Sequence, residues 1–367
     1  MNQMGGMDGE MAALLADGAR RLVEDRADHH RTRSLRRTTP GYDPSLAATF
    51  AELGWTGILV PEEEGGSGLG LSEMAALVRE LEKGLISDPL LARTVLAGGV
   101  LSRCGRPDLQ AGLVEGSIRP ALALDFDNSL PAVSARPVGE GWRLAGRCDA
   151  VPGGPGASHF LVPAQTKEGW RLFLLPAETA GAALDCLWRS DETPLGRLVL
   201  EEVALSADAA LSASLAVEEV IARALDETRI VAAAGLLGLA EKMLEMTIDY
   251  MGLRKQYDQP IGAFQALQHK AVDLYIEKER ASAVLAFALS QAADPGRLKL
   301  AALRAKGRCS EAASRIAREA IQLHGAIGFT EEHDLGLYVK RALTLSAWLG
   351  NAGEQRRRFI AMGLALA

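Results

Sequence analysis

The sequence is poor in cysteine, in aromatic residues and in long apolar runs. Its 4 cysteines are scattered and form no CxxC pair, so neither a disulfide framework nor a zinc site is expected. No segment approaches the roughly 18 uninterrupted apolar residues of a membrane helix, and the N-terminus lacks the apolar core of a signal peptide. We therefore expect a cytoplasmic protein with no metal site and no inserted segment.

Excess positive charge is also missing. The formal net charge is -7, and binding a polyanion over a large surface needs cations that replace its condensed counterions. Aromatic residues make up only 5% of the chain, too few to suggest platforms for stacking bases. Nucleic acid is therefore an unlikely class of partner. The local exception, "HHRTRSLRR" from His29 to Arg37, is interpreted as a solvated helix end, because charge runs usually face water.

The chain divides by pattern into three parts. Its 367 residues suggest two or three compact units at about 150 residues per domain. Residues 1–118 have helical periodicity, residues 119–212 contain short alternating segments between turn residues, and residues 213–367 are helical again. The predicted fold is α+β and multi-domain: an N-terminal helical domain, a middle antiparallel β-sandwich or barrel domain, and a C-terminal four-helix-bundle domain.

The last part has the most regular pattern. Ile230, Leu237, Leu244 and Met251 recur every seven residues and predict one apolar stripe on a long helix. Two further helices are predicted at 264–291 and 298–323, separated by "ADPG".

A glycine-rich segment near the start suggests, at first, a dinucleotide-binding loop. "GGSGLG" at residues 65–70 follows the strand-like "WTGILV" and precedes a helix, for which Ser72 is a candidate N-cap. The spacing is not GxGxxG, and three glutamates, Glu62 to Glu64, would put negative charge where a pyrophosphate should lie. We interpret the segment as a tight loop into a helix.

Two segments of the last part carry a more specific signal. They are "RKQYDQPIGAFQALQHK" at residues 254–270 and "QLHGAIGFTEEHDLGLYVKRA" at residues 322–342. Together with "ELGWTGILVPEEEGGSGLG" and the order helix, strand, helix, they resemble the acyl-CoA dehydrogenase family over nearly the whole chain.

The resemblance implies FAD as cofactor and a site shared between subunits. Arg254 would meet the pyrophosphate, and a glutamine-rich, aromatic group would line that end: Gln256, Tyr257, Phe264 and Gln265. The ADP part would contact Gln322, His324, Gly325 and Ala326. These residue types suit such roles, because arginine gives charge-assisted hydrogen bonds to phosphate and glycine allows close approach of backbone. No histidine has metal-ligand spacing, so no metal is expected.

The catalytic base of the family has no clear counterpart. α,β-Dehydrogenation needs a carboxylate that removes the proton α to the thioester. Counting from Arg341 puts Gly350 at the base position, and aligning on the glycine puts Leu349 there; neither takes a proton. Other relatives carry the glutamate just before an arginine on the first long bundle helix, where this chain has Thr228. Glu227 is one position off, about 100° around the helix, and is a weak candidate.

Other departures point the same way. The stretch that opens the middle domain reads "ALDFDNSLP", and Asp149 and Val151 stand where flavin contacts are usual in the family. Glu354, conspicuous in "LSAWLGNAGEQRRR", falls at the start of the last predicted helix, where an acid favourably meets the helix dipole. We interpret it as structural.

The favoured hypothesis is therefore a subunit of an FAD-dependent acyl-CoA dehydrogenase. It resembles the non-catalytic subunit of heteromeric enzymes of fatty acid or steroid side-chain catabolism, and it would contribute the ADP and pyrophosphate half of the FAD site to a catalytic partner. The expected partners are an acyl-CoA substrate, a related subunit in a heterotetramer or a second copy of the chain, and an electron-transfer acceptor protein. Two alternatives stay open: a self-sufficient homo-oligomeric enzyme using Glu227 or Asp226, and a non-redox protein that binds or assembles on CoA thioesters.

Overall fold

The computed structural model describes residues 4–86 and 88–365, and helices dominate both ends of this part of the chain. The helices are α1 (Met4–Arg26), α2 (His29–Ser34), α3 (Pro44–Glu52), α4 (Leu71–Lys83), α5 (Gly98–Leu101), α6 (Pro107–Val114), α7 (Val217–Leu253), α8 (Gln265–Gln291), α9 (Pro295–His324), α10 (Leu335–Ala347) and α11 (Ala352–Ala365). A π-helical segment, Leu91–Ala97, leads into α5.

The strands lie between α6 and α7, apart from a short hairpin after α7. They are β1 (Pro120–Leu122), β2 (Ala132–Val138), β3 (Gly141–Val151), β4 (His159–Thr166), β5 (Gly169–Pro176), β6 (Ala182–Trp188), β7 (Pro194–Leu205), β8 (Ala210–Leu211), and β9 (Lys255–Gln256) with β10 (Gln259–Pro260). The main sheet has the order β6-β7-β3-β2-β4-β5-β8. Its pairings are antiparallel except that β1 and one residue of β2 pair with β4 in parallel.

By their internal contacts these residues form two compact units. The first consists of the described parts of residues 1–33, 71–86 and 229–367, and the second of residues 34–70 and 87–228. The change from helix to strand falls between Val114 and Pro120, and the return to helix falls between Leu211 and Val217. The predicted fold class is confirmed; the predicted domain boundaries at 118 and 212 stay predictions.

The first unit is built from helices whose packing follows the sequence pattern. The stripe at Ile230, Leu237, Leu244 and Met251 is buried throughout. Two helices also approach closely, because a Cβ on Gly238 of α7 would lie 2.2 Å from the carbonyl oxygen of Arg79 in α4. Ion pairs join the same helices, since Arg79 Nε donates to Glu241 at 3.0 Å.

The segment "ADPG" separates the end of α8 from the beginning of α9. Asp294 is the N-cap of α9, and its carboxylate accepts a hydrogen bond of 2.8 Å from the backbone N–H of Gly296. Pro295 stands at the first helical position, where its missing N–H costs nothing. The predicted break between the two long helices is therefore confirmed, with α9 beginning three residues earlier than predicted.

The second unit has a core formed by residues of the main sheet. The buried residues of that core come from β1 to β5 and β7, with Ala123 just after β1, and are mainly small and branched: Ala121, Ala123, Val133, Ala135, Leu144, Cys148, Val151, Phe160, Val162, Ala164, Phe173, Leu175, Leu198, Leu200 and Val203. Strand segments predicted around "GWRLAGRCDAV", "SHFLVPA", "GWRLFLLPA" and "RLVLEEVAL" are confirmed as β3, β4, β5 and β7.

Two local predictions were wrong. "WTGILV" is not a strand: Trp55–Gly57 forms a 3₁₀ turn, and the Thr56 hydroxyl donates to the carbonyl of Val114 at 2.7 Å. A short apolar run is buried in either conformation, so its periodicity does not distinguish them. Ser72 is not an N-cap, because α4 already begins at Leu71.

The glycine-rich segment is a tight loop into α4, as predicted. Gly65 and Gly68 have φ of 86° and 60°, and a Cβ on Gly66 would lie 2.1 Å from the carbonyl oxygen of Val60. The basic run is less solvated than predicted: His29 and Arg33 lie 2.7 and 2.8 Å from the carboxylate of Asp334. Two residues of the run are thus paired within the first unit.

Candidate functional site

The first predicted cofactor segment is a tight hairpin at the end of α7. Arg254 is followed by β9 and β10, and the two residues between the strands, Tyr257 and Asp258, have φ of 50° and 63°. Such a two-residue turn matches the twist of the strands but usually selects Asn or Gly. A tyrosine with positive φ is rare, and Tyr257 is 85% exposed. This local departure marks the hairpin as a candidate for function.

The hairpin is fixed to the beginning of α8. The backbone N–H of Ile261 donates to the carbonyl of Arg254 at 2.8 Å. Phe264 immediately precedes α8, and its ring meets that of Tyr257 edge to face with centroids 6.2 Å apart. Gln265 is the first residue of α8 and is exposed. The predicted residues of this segment therefore stand together on one surface.

The second predicted segment is the C-terminus of α9. Gln322 is exposed in the last turn, His324 ends the helix, and Gly325 follows with φ of 66° and ψ of -142°. That conformation is essentially restricted to glycine. A Cβ on Gly325 would meet no atom within 4 Å, so the backbone here is open, and Ala326 beside it is exposed.

His324 is buried and has a defined tautomer. Its Nδ1 lies 2.8 Å from the carbonyl oxygen of Ala320, which can only accept, so Nδ1 carries the hydrogen. Nε2 is then a lone-pair acceptor, buried and without a hydrogen-bond partner among the residues described. Burial lowers the pKa of His324, and the neighbouring His333 lowers it further, so the neutral form is favoured.

A ring stack joins the two segments. Tyr250, one turn before Arg254, stacks on His324 with centroids 4.4 Å apart and an angle of 23°. His333 meets His324 at 4.7 Å. The ends of α7 and α9 are thus held side by side, so the structure brings the two sequence motifs together at one end of the first unit.

The residues at this end fit a phosphate-bearing ligand. The side chain of Arg254 is exposed, and within residues 4–86 and 88–365 no carboxylate lies within ion-pair distance of it. The two segments also carry three exposed glutamines, a glycine with open backbone and one buried acceptor nitrogen: Gln256, Gln265, Gln322, Gly325 and His324. A free guanidinium beside accessible backbone is the donor set that diphosphates require.

The predicted base position contains no acid. Leu349 and Gly350 form the turn between α10 and α11 with φ of 65° and 97°, and Leu349 is fully buried. Glu354 lies in the first turn of α11, where its backbone N–H donates to Asn351 at 3.0 Å and its carboxylate pairs with Arg358. It occupies the helix start that was predicted for it.

Two residues whose side chains contact this turn were not predicted from the sequence. Lys306 and Gln355 are both fully buried, and their side chains donate to the backbone carbonyls of the turn. Burial and the charge of Arg229 lower the pKa of Lys306 to about 7. The sequence did offer one sign of the buried lysine: Lys306 falls within the buried stripe of α9, between Leu303 and Ser310.

Glu227 is held by two arginines of the second unit. Its carboxylate lies 2.6 Å from Arg103 and 3.3 Å from Arg223, and the side chain is only 15% exposed. Thr228 beside it is buried and donates its hydroxyl to the carbonyl of Ala224 at 2.6 Å. Asp226 is buried as well. The carboxylate of Glu227 is therefore used in ion pairs within the second unit.

Asp149 and Val151 of the middle region, which stand where the family resemblance implied flavin contacts, have other neighbours in the structure. Asp149 lies within ion-pair distance of Arg147 and Arg197, 3.0 Å from each. Its backbone N–H donates to Asp125 at 3.2 Å. Val151 is fully buried in the sheet core.

The described residues contain neither a metal-ligating cluster nor a membrane-spanning helix. Among the described residues there is no group of three or more potential metal-ligating side chains. No helix in that part of the chain is long and apolar enough to cross a membrane.

Comparison with known proteins identifies the family. Residues 10–119 match the acyl-CoA dehydrogenase N-terminal domain, and residues 219–365 match the acyl-CoA dehydrogenase C-terminal domain. The chain is 31% identical over 339 residues to acyl-CoA dehydrogenase FadE27 of Mycobacterium tuberculosis, covering 89% of this chain and 90% of that one. It is 34% identical to acyl-CoA dehydrogenase IpdE2 of the same organism, covering 95% and 96%. The chain belongs to the acyl-CoA dehydrogenase family, whose cofactor is FAD.

Solved structures extend the comparison to heteromeric enzymes. A chain of the ChsE4-ChsE5 complex from Mycobacterium tuberculosis superimposes with a TM-score of 0.88 at 30% identity, covering 98% of both chains. A chain of the Tcur3481-Tcur3483 steroid ACAD G363A variant gives 0.86 at 32% identity, covering 98% of this chain and 99% of that chain. A glutaryl-CoA dehydrogenase from Mycobacterium smegmatis, solved with FADH2, shares the fold at 23% identity and a TM-score of 0.84.

Proposed function

We propose that this chain is a subunit of an FAD-dependent acyl-CoA dehydrogenase and that it completes the cofactor site of a distinct, glutamate-bearing partner. The observation that carries the proposal is the base position. Leu349 and Gly350 cannot take a proton, and Glu227, the weak candidate suggested by the sequence, is engaged by Arg103 and Arg223. A positioned general base contributes roughly a hundred- to ten-thousand-fold in rate, so a chain without one depends on another subunit.

The chain would contribute binding rather than proton transfer. Arg254 would neutralise the pyrophosphate, with Gln256, Tyr257, Phe264 and Gln265 on the hairpin side. At the end of α9, Gln322, Gly325 and Ala326 would approach the ADP part, and His324 Nε2 would accept a hydrogen bond from it. FAD, when bound, supplies the hydride acceptor for the β-carbon of the acyl chain. The partner's carboxylate would remove the α-proton.

The relatives support a heteromeric assembly. Two of the similar solved structures, ChsE4-ChsE5 and Tcur3481-Tcur3483, are complexes of two different chains, and the second is described as a steroid ACAD. The substrate class we infer is therefore a CoA thioester of a fatty acid or steroid side chain.

The test is a flavin count with and without a partner. The full chain is purified alone and after coexpression with acyl-CoA dehydrogenase genes that neighbour it, and bound FAD per chain and acyl-CoA oxidation are measured. We expect little bound flavin and no oxidation for the chain alone, and both for a complex. Purified chain that binds one FAD and oxidises an acyl-CoA at the rates of other family members contradicts the proposal.

The alternatives give different results in the same experiment. A self-sufficient homo-oligomer using Glu227 or Asp226 would oxidise an acyl-CoA without any partner. A non-redox CoA-thioester binding or assembly protein would show no flavin absorbance even in the coexpressed complex.

A further inference from the structure

The turn at the base position is held by three buried side chains. Ser346 belongs to the last turns of α10, and Leu349 and Gly350 form the connection to α11. Their three backbone carbonyls accept hydrogen bonds from side chains of three helices. Arg229 lies in α7, Lys306 in α9 and Gln355 in α11.

Three side-chain donors serve the three carbonyls, and two of the donors are shared. Leu349 O accepts from Gln355 Nε2 at 2.7 Å and from Arg229 Nε at 3.2 Å. Gly350 O accepts from Gln355 Nε2 at 3.0 Å and from Lys306 Nζ at 3.3 Å. Ser346 O accepts from Lys306 Nζ at 3.0 Å. Two of these donors bridge two carbonyls each, which fixes the backbone of the turn.

The Lys306 ammonium in turn depends on these carbonyls as hydrogen-bond acceptors. Lys306 is fully buried, and in the described part of the chain its Nζ contacts the Ser310 hydroxyl and two carbonyls but no carboxylate within ion-pair distance. A buried ammonium is costly unless its donors are satisfied. Movement of the turn would leave Lys306 without acceptors, so the turn and the lysine stabilise each other.

We propose that Arg229, Lys306 and Gln355 lock the Leu349–Gly350 turn as a structural element, so that a single substitution cannot restore a glutamate at the base position. This inference rests on the proposed function for the identity of that position, but the lock itself is a property of the contacts above. The three side chains are positioning residues for the turn.

Both candidate positions resist a glutamate for steric or solvation reasons. A Cβ on Gly350 would lie 2.4 Å from Gln355 Nε2 and 3.1 Å from the carboxylate of Glu354. Its φ of 97° is also strained for any other residue. Leu349 is fully buried, so a glutamate there would lose apolar burial and desolvate a carboxylate.

The test compares two glycines of the same region in the full-length chain. Gly350→Glu is paired with Gly336→Glu in α10, where the nearest atom to an added Cβ is 4.0 Å away. Thermal unfolding is followed by circular dichroism. We expect Gly350→Glu to lower the midpoint by roughly 5 °C or more and Gly336→Glu to leave it within roughly 2 °C. A midpoint for Gly350→Glu within roughly 2 °C of the wild type overturns the proposal.

A double-mutant cycle keeps the test decisive if Gly350→Glu does not fold. Gly350→Ala, Gln355→Ala and the double variant are compared, because the clash with Gln355 disappears once its side chain is removed. We expect the double variant to lose less than the sum of the two single losses; additive losses overturn the lock. Oxidation of an acyl-CoA by the unmodified chain alone would refute the proposed function while leaving this stability result intact.

Discussion

At the scale of single residues, Glu227 distinguishes the proposed function from its main rival. Two arginines hold its carboxylate at 2.6 and 3.3 Å, so its charge is already used inside the second unit. We expect Glu227→Gln to change acyl-CoA oxidation by the complex less than roughly twofold, and to reduce the free energy of unfolding by roughly 1–3 kcal/mol because Arg103 loses its carboxylate. Steady-state rates and denaturant unfolding give the two values. Loss of turnover with unchanged flavin content would identify Glu227 as the base.

Lys306 gives the stability of the chain a pH dependence of known sign. Its pKa is about 7 in the folded chain, against 10.5 for the free side chain. Below pH 7 the lysine is protonated in both states. Between about pH 7 and 10.5 the folded chain releases a proton that the unfolded chain keeps, so the free energy of unfolding rises with pH, by up to about 1.4 kcal/mol per pH unit.

Lys306→Met should remove that contribution. Urea unfolding of both proteins between pH 6 and pH 9.5 measures the difference, and all other titrating groups cancel in the comparison. We expect the wild-type free energy of unfolding to gain on that of Lys306→Met as the pH rises above roughly 7. Parallel curves for the two proteins would mean that Lys306 remains charged in the folded chain.

At the scale of elements, the sequence predicted regular structure well and exceptions poorly. The heptad stripe of α7 and the break at Asp294–Pro295 were read correctly, because burial and capping are local or periodic. "WTGILV" was predicted wrongly because a short apolar run does not reveal its backbone conformation. The positive φ of Tyr257 had no signal in the sequence, since tyrosine is not a residue that such turns select.

The end of α9 depends on one glycine, and the chain offers a matched control. Gly325 and Gly252 both have open space around an added Cβ, but Gly325 has a φ of 66° whereas Gly252 lies within α7. We expect Gly325→Ala to reduce the free energy of unfolding by roughly 1–3 kcal/mol and Gly252→Ala to change it little or raise it, since alanine is the better helix former. Denaturant unfolding measures both. Equal values for the two variants would show that the conformation at residue 325 is not constrained.

At the scale of the whole molecule, the two halves of the candidate site differed in how far they could be predicted. Arg254 and His324 lie in contiguous motifs, so resemblance to a family located them. Lys306 donates a hydrogen bond to the carbonyl of Gly350, which lies more than 40 residues further along the chain. Gln355 donates to the same carbonyl and is only 5 residues away from it in sequence. No local pattern connects a lysine in α9 with carbonyls after α10. That Leu349 and Gly350 stand at the expected base position was visible in the sequence, whereas the side-chain contacts to that turn required the fold.

The assembly predicted for this chain makes Arg254 important for cofactor binding but not for folding. Its side chain is exposed and makes no ion pair within the described residues, so its removal should leave the unfolding midpoint unchanged.

In the coexpressed complex, we expect Arg254→Met to weaken FAD binding by roughly tenfold to a hundredfold, because a charge-assisted hydrogen bond to phosphate is lost. Flavin content after extensive dialysis and titration of the apo complex with FAD measure the effect. Arg297→Met is the control, since that arginine is also exposed; it pairs with Asp294 at the start of α9 and donates a hydrogen bond to the Gln291 side chain. Equal FAD affinity for the two variants would remove Arg254 from the cofactor site.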